Sequence, residues 1–372
     1  MAVWWIAVKD WRRFIRQPFF MAVSILIPLA FVLFYSLIVP SSQTNPVVVA
    51  VEDRSPAASR FLETLRKVES EEAPWFEVVT DDSEEARRLF DSGDAIGLVV
   101  IPEGFGDAVA QGRGVVELHV HNINSDYSKN LALRVDHTVR VFEDRISEPV
   151  IVVEETTRFA GTLTMGTYIS TSILLFAAVY AGLVNTGLAV ASEWSDRTAK
   201  NLLLSPRPRA VLVAGKVLAG LGQSLVSVLA VAAVVVVVFG FRPQGSVFAI
   251  AGLALVMTIL GAGLGAIIGV AVRKTLAVVS IGIPTALGIY FLSGFEDSLR
   301  GLAWDGPVAV LWQTSRFLPT TGVFSVTRQL ALGESALHLT GELLPAFVLI
   351  PVVLGVAAFM LRRAFQSLPG GQ

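Results

Sequence analysis

Residues 247–292 read VFAIAGLALVMTILGAGLGAIIGVAVRKTLAVVSIGIPTALGIYFL, two apolar runs, Val247–Val272 and Leu276–Leu292, parted by Arg273 and Lys274. A bilayer core roughly 30 Å thick is crossed by about 17–25 apolar residues in a helix, and both runs are long enough. No water in that core can satisfy backbone groups, so helix is the only state open to such runs. Within the first of the two, Gly261, Gly265 and Gly269 recur every fourth residue beside Ala262, Gly263 and Ala266. Small residues at this spacing let helix backbones approach closely in lipid, which marks a packing face rather than chemistry.

Working outward, four more runs of spanning length appear: Phe19–Val39, Tyr168–Ala191, Val217–Phe239 and Leu343–Leu361. The chain is 53% hydrophobic and only 16% charged, with a mean hydropathy of +0.64. The fold class expected is an α-helical membrane protein of six transmembrane helices, with an α/β extracytoplasmic domain inserted between the first and second. Residues 1–18 read as an amphipathic cytoplasmic interfacial helix and 19–39 as the first span. Residues 40–160 read as the inserted domain and 161–372 as spans two to six.

Charge is unevenly placed. Ser41–Ala160 holds 23 acids and 12 bases, a local net charge of −11, and the remainder is net +9. Most bases outside that block flank the spans: Lys9, Arg12, Arg13 and Arg16 precede the first, Arg197, Lys200, Arg207 and Arg209 follow the second, and Arg362 and Arg363 follow the sixth, whereas the opposite short loop near Phe241–Gln244 carries only Arg242. With Arg273 and Lys274 these flanking bases all fall on one side if both termini are cytoplasmic, as the positive-inside rule expects in a cell membrane. The first run is about 21 residues, longer than the roughly 7–15 of a signal-peptide core, and Pro40-Ser41-Ser42 is not a cleavage site of the usual small-residue kind. It is expected to remain as a span. Trp4, Trp5, Trp11 and Phe14 among the first four cations suit a helix in the headgroup layer, and a generic interfacial anchor accounts for them equally.

Between the first two spans, Val47–Val51, Phe76–Thr80, Ile96–Ile101 and Val115–His121 are short β-branched runs. They alternate with the helix-like segments Ala57–Glu69, Ser83–Asp91 and Gly104–Gln111, a β-α-β spacing that predicts a small mixed sheet. A longer helical pattern, about Tyr127 to Phe159, leads back to the membrane. His119, His121 and His137 lack an accompanying carboxylate motif and are expected on solvated surface rather than around a metal.

Much chemistry is excluded. The chain has no cysteine, hence no disulfide, thiolate zinc site or cysteine nucleophile. Gly215-Lys216 lacks the spacing of a phosphate-binding loop, and no zincin or serine-hydrolase motif occurs. Asp and Glu sit at span ends rather than in their middles, unlike the buried carboxylates of proton-coupled carriers. Energy for transport is therefore expected from another chain, and the chain itself is not expected to be an enzyme.

The loop after the second span, ASEWSDRTAKNLLLSPRPRAVLVAGK over residues 191–216, is the most informative polar segment. Glu193 and Arg197 stand i, i+4, as do Asp196 and Lys200, each acid-first in the orientation favoured on a helix. Leu202, Leu203 and Leu204 form an apolar knob before Ser205-Pro206. A charged helix ending in such a knob suits a partner's cleft, and a snorkelling interfacial turn is the competing account. From residue 293 to 342 the sequence is half apolar and broken by glycine and proline, as in short helices that dip into the outer leaflet and leave it.

This loop resembles that of type-2 ATP-binding-cassette (ABC) exporter permeases. There a Glu at the end of the second span precedes a basic, Thr-containing stretch, Leu-Leu, Ser-Pro, and a Gly-Lys opening the third span. Glu193, Arg197, Thr198, Leu202, Leu203, Ser205, Pro206, Gly215 and Lys216 follow that order. Trp194, Asp196 and Arg197 stand where the family often has a second acid and a glycine. Arg316-Phe-Leu-Pro319 through Arg328 resembles the family's outer re-entrant helices. Asp91–Phe105 is similar to the outer domain of its sodium-efflux and drug-efflux branch. The resemblance implies a permease that exports an amphiphilic or hydrophobic substrate, works as a homo- or heterodimer in the lipid bilayer, and is driven by a separate ABC ATPase. ATP and Mg would sit on that ATPase, no cofactor on this chain, and no nucleic acid is involved. It further implies a coupling loop over residues 193–209, with Glu193, Asp196, Arg197, Lys200, Leu203, Ser205 and Pro206 meeting the ATPase, and Pro319 and Arg328 in the outer re-entrant region. Asn185, Gln223, Ser224 and Tyr290 are span polars placed to line a substrate path, with ordinary interhelical hydrogen bonding as the competing account. Na⁺ efflux, or a non-transporting scaffold with an outer binding domain, remain the alternatives.

Overall fold

The computed structural model describes residues 2–70, 73–95, 97–120, 126–144, 165–199, 209–294, 306–333 and 341–364. They form two compact units, residues 37–156 and residues 1–36 with 157–372. The chain begins with α1 (Ala2–Arg16), then α2 (Pro18–Gln43), which contains the first span. Ala7, Asp10 and Phe14 form the buried stripe of α1, while Trp4, Trp5, Arg12 and Arg16 are exposed. The i, i+3, i+7 spacing is that of an amphipathic helix laid on a surface.

The inserted unit runs β1 (Asn45–Val51), α3 (Pro56–Lys67), β2 (Phe76–Thr80), α4 (Ser83–Asp91), β3 (Gly97–Ile101), α5 (Phe105–Ala110), β4 (Glu117–Val120) and α6 (Asp126–Asp144). Its sheet has the order β2-β1-β3-β4. β1 is parallel to β2 and β3, and β4 is antiparallel to β3. Central β1 is Val-rich rather than alternating because both of its faces are covered. Val47 and Val49 pack with Phe61, Leu65, Phe105 and Phe142, whereas Val48 and Ala50 pack with Ala86, Leu98 and Val100. Helix starts follow from side-chain caps: Ser55 Oγ accepts from the Ala58 amide at 3.2 Å, and Asp82 Oδ1 from the Glu85 amide at 2.9 Å. Asp53 joins two loops, accepting from the Gly106 and Ser55 amides, each at 2.7 Å. Those amides, Gly106 foremost, hold its carboxyl below the ordinary 3.8. His119 meets Glu117 Oε2 at 3.0 Å and the His137 ring lies tilted against that of Trp75, their centres 4.8 Å apart; His121 lies outside the described residues, as does the last part of the Tyr127–Phe159 pattern.

The second unit continues with α7 (Met165–Ser195), α8 (Arg209–Phe239), α9 (Val247–Val272) and α10 (Thr275–Ile289), which ends in a π-helical turn, Tyr290–Gly294. After it come α11 (Gly306–Ser315), α12 (Pro319–Ala331) and α13 (Leu344–Ala364). Among the described residues six helices are long and apolar enough to cross a membrane: α2, α7, α8, α9, α10 with its π turn, and α13. α7 is the central post, its apolar core wholly buried against α8, α9, α10 and α12. The small-residue stripe of α9 explains the closest of these contacts. A Cβ on Gly261 would lie 2.2 Å from the Val179 carbonyl oxygen, and one on Gly265 would lie 2.1 Å from that of Leu183. Around the periphery, Leu26, Leu33, Val237, Phe248 and Phe347 are exposed, a surface that lipid accommodates and water does not.

Candidate functional site

The last turn of α7 ends at Ser195 because Arg197 takes a left-handed conformation, φ 58°. The Thr198 amide then returns to the Glu193 carbonyl at 2.9 Å and the Arg197 amide to that of Trp194 at 3.1 Å. This pair of bonds closes a helix C-terminus. It leaves the Glu193 side chain pointing into the bundle, fully buried.

Its partners come from far along the chain. α1 lies along α8, where Gly215 makes room for Ile6: a Cβ there would sit 2.7 Å from that of Ile6. This contact brings Lys9 and Asp10 over Lys216. Glu193 Oε1 receives Lys9 Nζ at 2.9 Å and also pairs with Lys216 Nζ. Glu193 Oε2 accepts from Thr198 Oγ1. Lys216 Nζ stands 2.7 Å from Asp10 Oδ2, and Gln223 Nε2 donates to the Asp10 carbonyl at 3.2 Å. Lys216 and Asp10 are only 1% and 3% exposed. Buried Asp10, Glu193 and Lys216 are thus joined by half-exposed Lys9, so that two acids meet two cations; an uncompensated charge among the buried three would cost several kcal/mol. A cavity of about 30 Å³ beside Asp10, Ser192 and Gln223 has room for a water molecule.

The same helix end is fixed on its other side. Ser195 Oγ donates to the Arg273 carbonyl at 3.4 Å and accepts from the Thr275 amide at 3.3 Å. The Arg273 guanidinium lies 5.5 Å from the centre of the Trp194 ring. α1, α7, α8 and the α9–α10 turn therefore meet around Glu193.

The expected i, i+4 pair between Glu193 and Arg197 does not form. The helix stops first, Arg197 points outward, and Asp196 pairs with Arg13 of α1. Lys200, Leu203, Ser205 and Pro206 lie outside the described residues. The inner face of α1 packs on α8, while its outer face, with Trp4, Trp5, Arg12 and Arg16, is exposed. Lys9 and Asp10 were not foreseen as partners of Glu193. Their signal was that Asp10 is the only acid in residues 1–18 and Lys216 the only charge in residues 210–239.

Asn185, Gln223, Ser224 and Tyr290 are all buried and take part in three separate sets of contacts. Asn185 Nδ2 reaches Ser224 Oγ at 3.4 Å, joining α7 to α8. Gln223 belongs to the Asp10 cluster. Tyr290 packs with Phe31 and Phe176 and stands 3.5 Å from the Tyr35 hydroxyl. Pro319 opens α12. Arg328, one turn before its end, donates to Ser172 Oγ at 3.0 Å and lies 3.9 Å over the Tyr168 ring.

Comparison with known proteins matches the profile of the ABC-2 family transporter proteins to residues 18–359, nearly the whole of this arrangement. The chain belongs to the ABC-2 transporter family. Two relatives, each named as the probable multidrug ABC transporter permease YbhS, come from Escherichia coli strain K12 and Escherichia coli O157:H7. Each is 25% identical over 345 residues, covering 88% of this chain and 87% of its own. No solved structure matches significantly. The ABC-2 match begins after α1, so Glu193 and Lys216 lie within it and Lys9 and Asp10 before it.

Proposed function

We propose that this ABC-2 permease exports an amphiphilic or hydrophobic substrate across the cell membrane, driven by ATP that a separate ATPase subunit hydrolyses. The observation that carries the reading is the junction of buried Asp10, Glu193 and Lys216 with half-exposed Lys9, at the start of the loop that resembles a coupling segment. In this account both termini are cytoplasmic and two permease chains pair on two ATPases. The exposed Asp196 and Arg197, with Lys200, Leu203, Ser205 and Pro206, meet the ATPase. Glu193 acts from behind them: held by Lys216, Lys9 and Thr198, it anchors the end of α7 and does not itself touch the ATPase. The name of the Escherichia coli relatives supports a drug-like cargo, and the apolar spans with few internal charges suit one.

Co-purification with the ATPase subunit tests this division of roles, scored beside expression level and transport. Arg197→Glu should weaken association at least about tenfold, because like charges across an interface cost several kcal/mol. Asp81→Lys, on the surface of the inserted unit, should leave it intact, since solvated surface pairs contribute about 0–1 kcal/mol. Full association and activity of a well-expressed Arg197→Glu chain would remove the loop from the coupling path.

A further inference from the structure

Four cations of α1, Lys9, Arg12, Arg13 and Arg16, follow the i, i+3, i+4, i+7 spacing of one helix face. They border a groove of about 550 Å³ together with Trp5 and Asp196, a volume within the range of small-ligand sites. Two of the four are already engaged: Lys9 by Glu193 and Arg13 by Asp196. Arg12 and Arg16 are exposed and, among the described residues, form no ion pair. They stand one helical turn apart, so two guanidinium forks border one groove, an arrangement that matches the oxygens of a phosphate group.

We propose that this groove holds the headgroup of an anionic glycerophospholipid. Charge favours an anion, and position favours a lipid. α1 runs directly into the first span at Pro18, so the groove lies where headgroups lie. Ile15 and Phe19, at the same end, are 58% and 61% exposed and offer apolar surface to acyl chains. Trp5 is 66% exposed, and tryptophan is enriched at that depth of a bilayer. A soluble phosphate would use the two arginines and none of these apolar groups. The proposal requires only that the spans cross a bilayer, and is independent of the cargo; Asp196 stands at the rim between this groove and the proposed ATPase contact.

Native mass spectrometry of the detergent-purified full chain tests it, with phosphatidylglycerol, phosphatidylcholine and glycerol 3-phosphate as probes. Phosphatidylglycerol should bind in preference to phosphatidylcholine. Each basic residue near an anionic lipid surface contributes about fivefold, so Arg12→Ala with Arg16→Ala should weaken that binding roughly thirtyfold. Arg362→Ala with Arg363→Ala, at the far end of the chain, should not. Arg12→Lys with Arg16→Lys keeps the charge and loses the forks, so it should weaken binding by less, and it serves if the alanine pair is poorly folded. Equal binding of both lipids, or unchanged phosphatidylglycerol binding in the alanine pair, overturns the site. Displacement of the lipid by glycerol 3-phosphate at equal concentration overturns the lipid assignment in favour of a soluble phosphate. Loss of the ATPase from the alanine pair with lipid binding intact overturns it in favour of a protein interface.

Discussion

Lys216 shows how far one side chain's meaning depends on partners that its neighbours in sequence do not announce. Read locally, Glu193 finds its cation four residues on; in the folded chain it finds Lys9 and Lys216 instead. Removing one member of a buried ion pair costs about 3–5 kcal/mol, because the others are left uncompensated. Lys216→Met should therefore lower the unfolding temperature sharply, and Glu193→Gln on that background should restore much of the loss. A Lys216→Met chain that melts with the wild type would mean that the cluster is not formed. A second residue-level test concerns Asp53. The Gly106 and Ser55 amides hold its folded carboxyl below 3.8, so its contribution is complete above that value and is lost as pH falls through the lower folded value. Asp53→Asn should expose the inserted unit to proteolysis at neutral pH, and the difference from wild type should shrink on acidification. A difference independent of pH would contradict the account.

At the scale of elements most of the fold was legible in the chain. The run Val247–Val272 became α9 with the same ends, and Phe76–Thr80 and Ser83–Asp91 became β2 and α4 unchanged. Apolar length and β-branched runs are local properties, and local properties survive folding. The small-residue stripe of α9 was legible as a packing face, and the structure supplies its partner, α7. What could not be read were contacts between distant elements: α1 on α8, and the start of α8 at Arg209, two turns before its apolar run. The capping motif at Arg197 hid too, since a left-handed arginine carries no sequence signature. Gly265→Ala tests the α7–α9 seam. The added methyl would meet a backbone oxygen at 2.1 Å, and overpacking of this kind costs about 1–3 kcal/mol. Gly252→Ala, on the same helix with nothing within 4 Å, should be neutral. Equal melting temperatures for the two would contradict the close approach.

For the whole molecule, sidedness comes first, and the absence of cysteine makes it measurable. Glu84 is exposed in the inserted unit. Glu84→Cys should be labelled by an impermeant thiol reagent in intact cells, and Gly371→Cys only after lysis. The reverse pattern would invert the topology and remove the loop after Ser195 from the reach of an ATPase. The central claim, a permease worked by a separate ATPase, is tested most directly by ATP-dependent uptake of a lipophilic fluorescent amphiphile into inverted vesicles. Uptake should require this chain and its ATPase together, with the amphiphile stimulating hydrolysis. Uptake without the ATPase, or a complex whose hydrolysis answers to Na⁺ alone or to no cargo, would contradict the account.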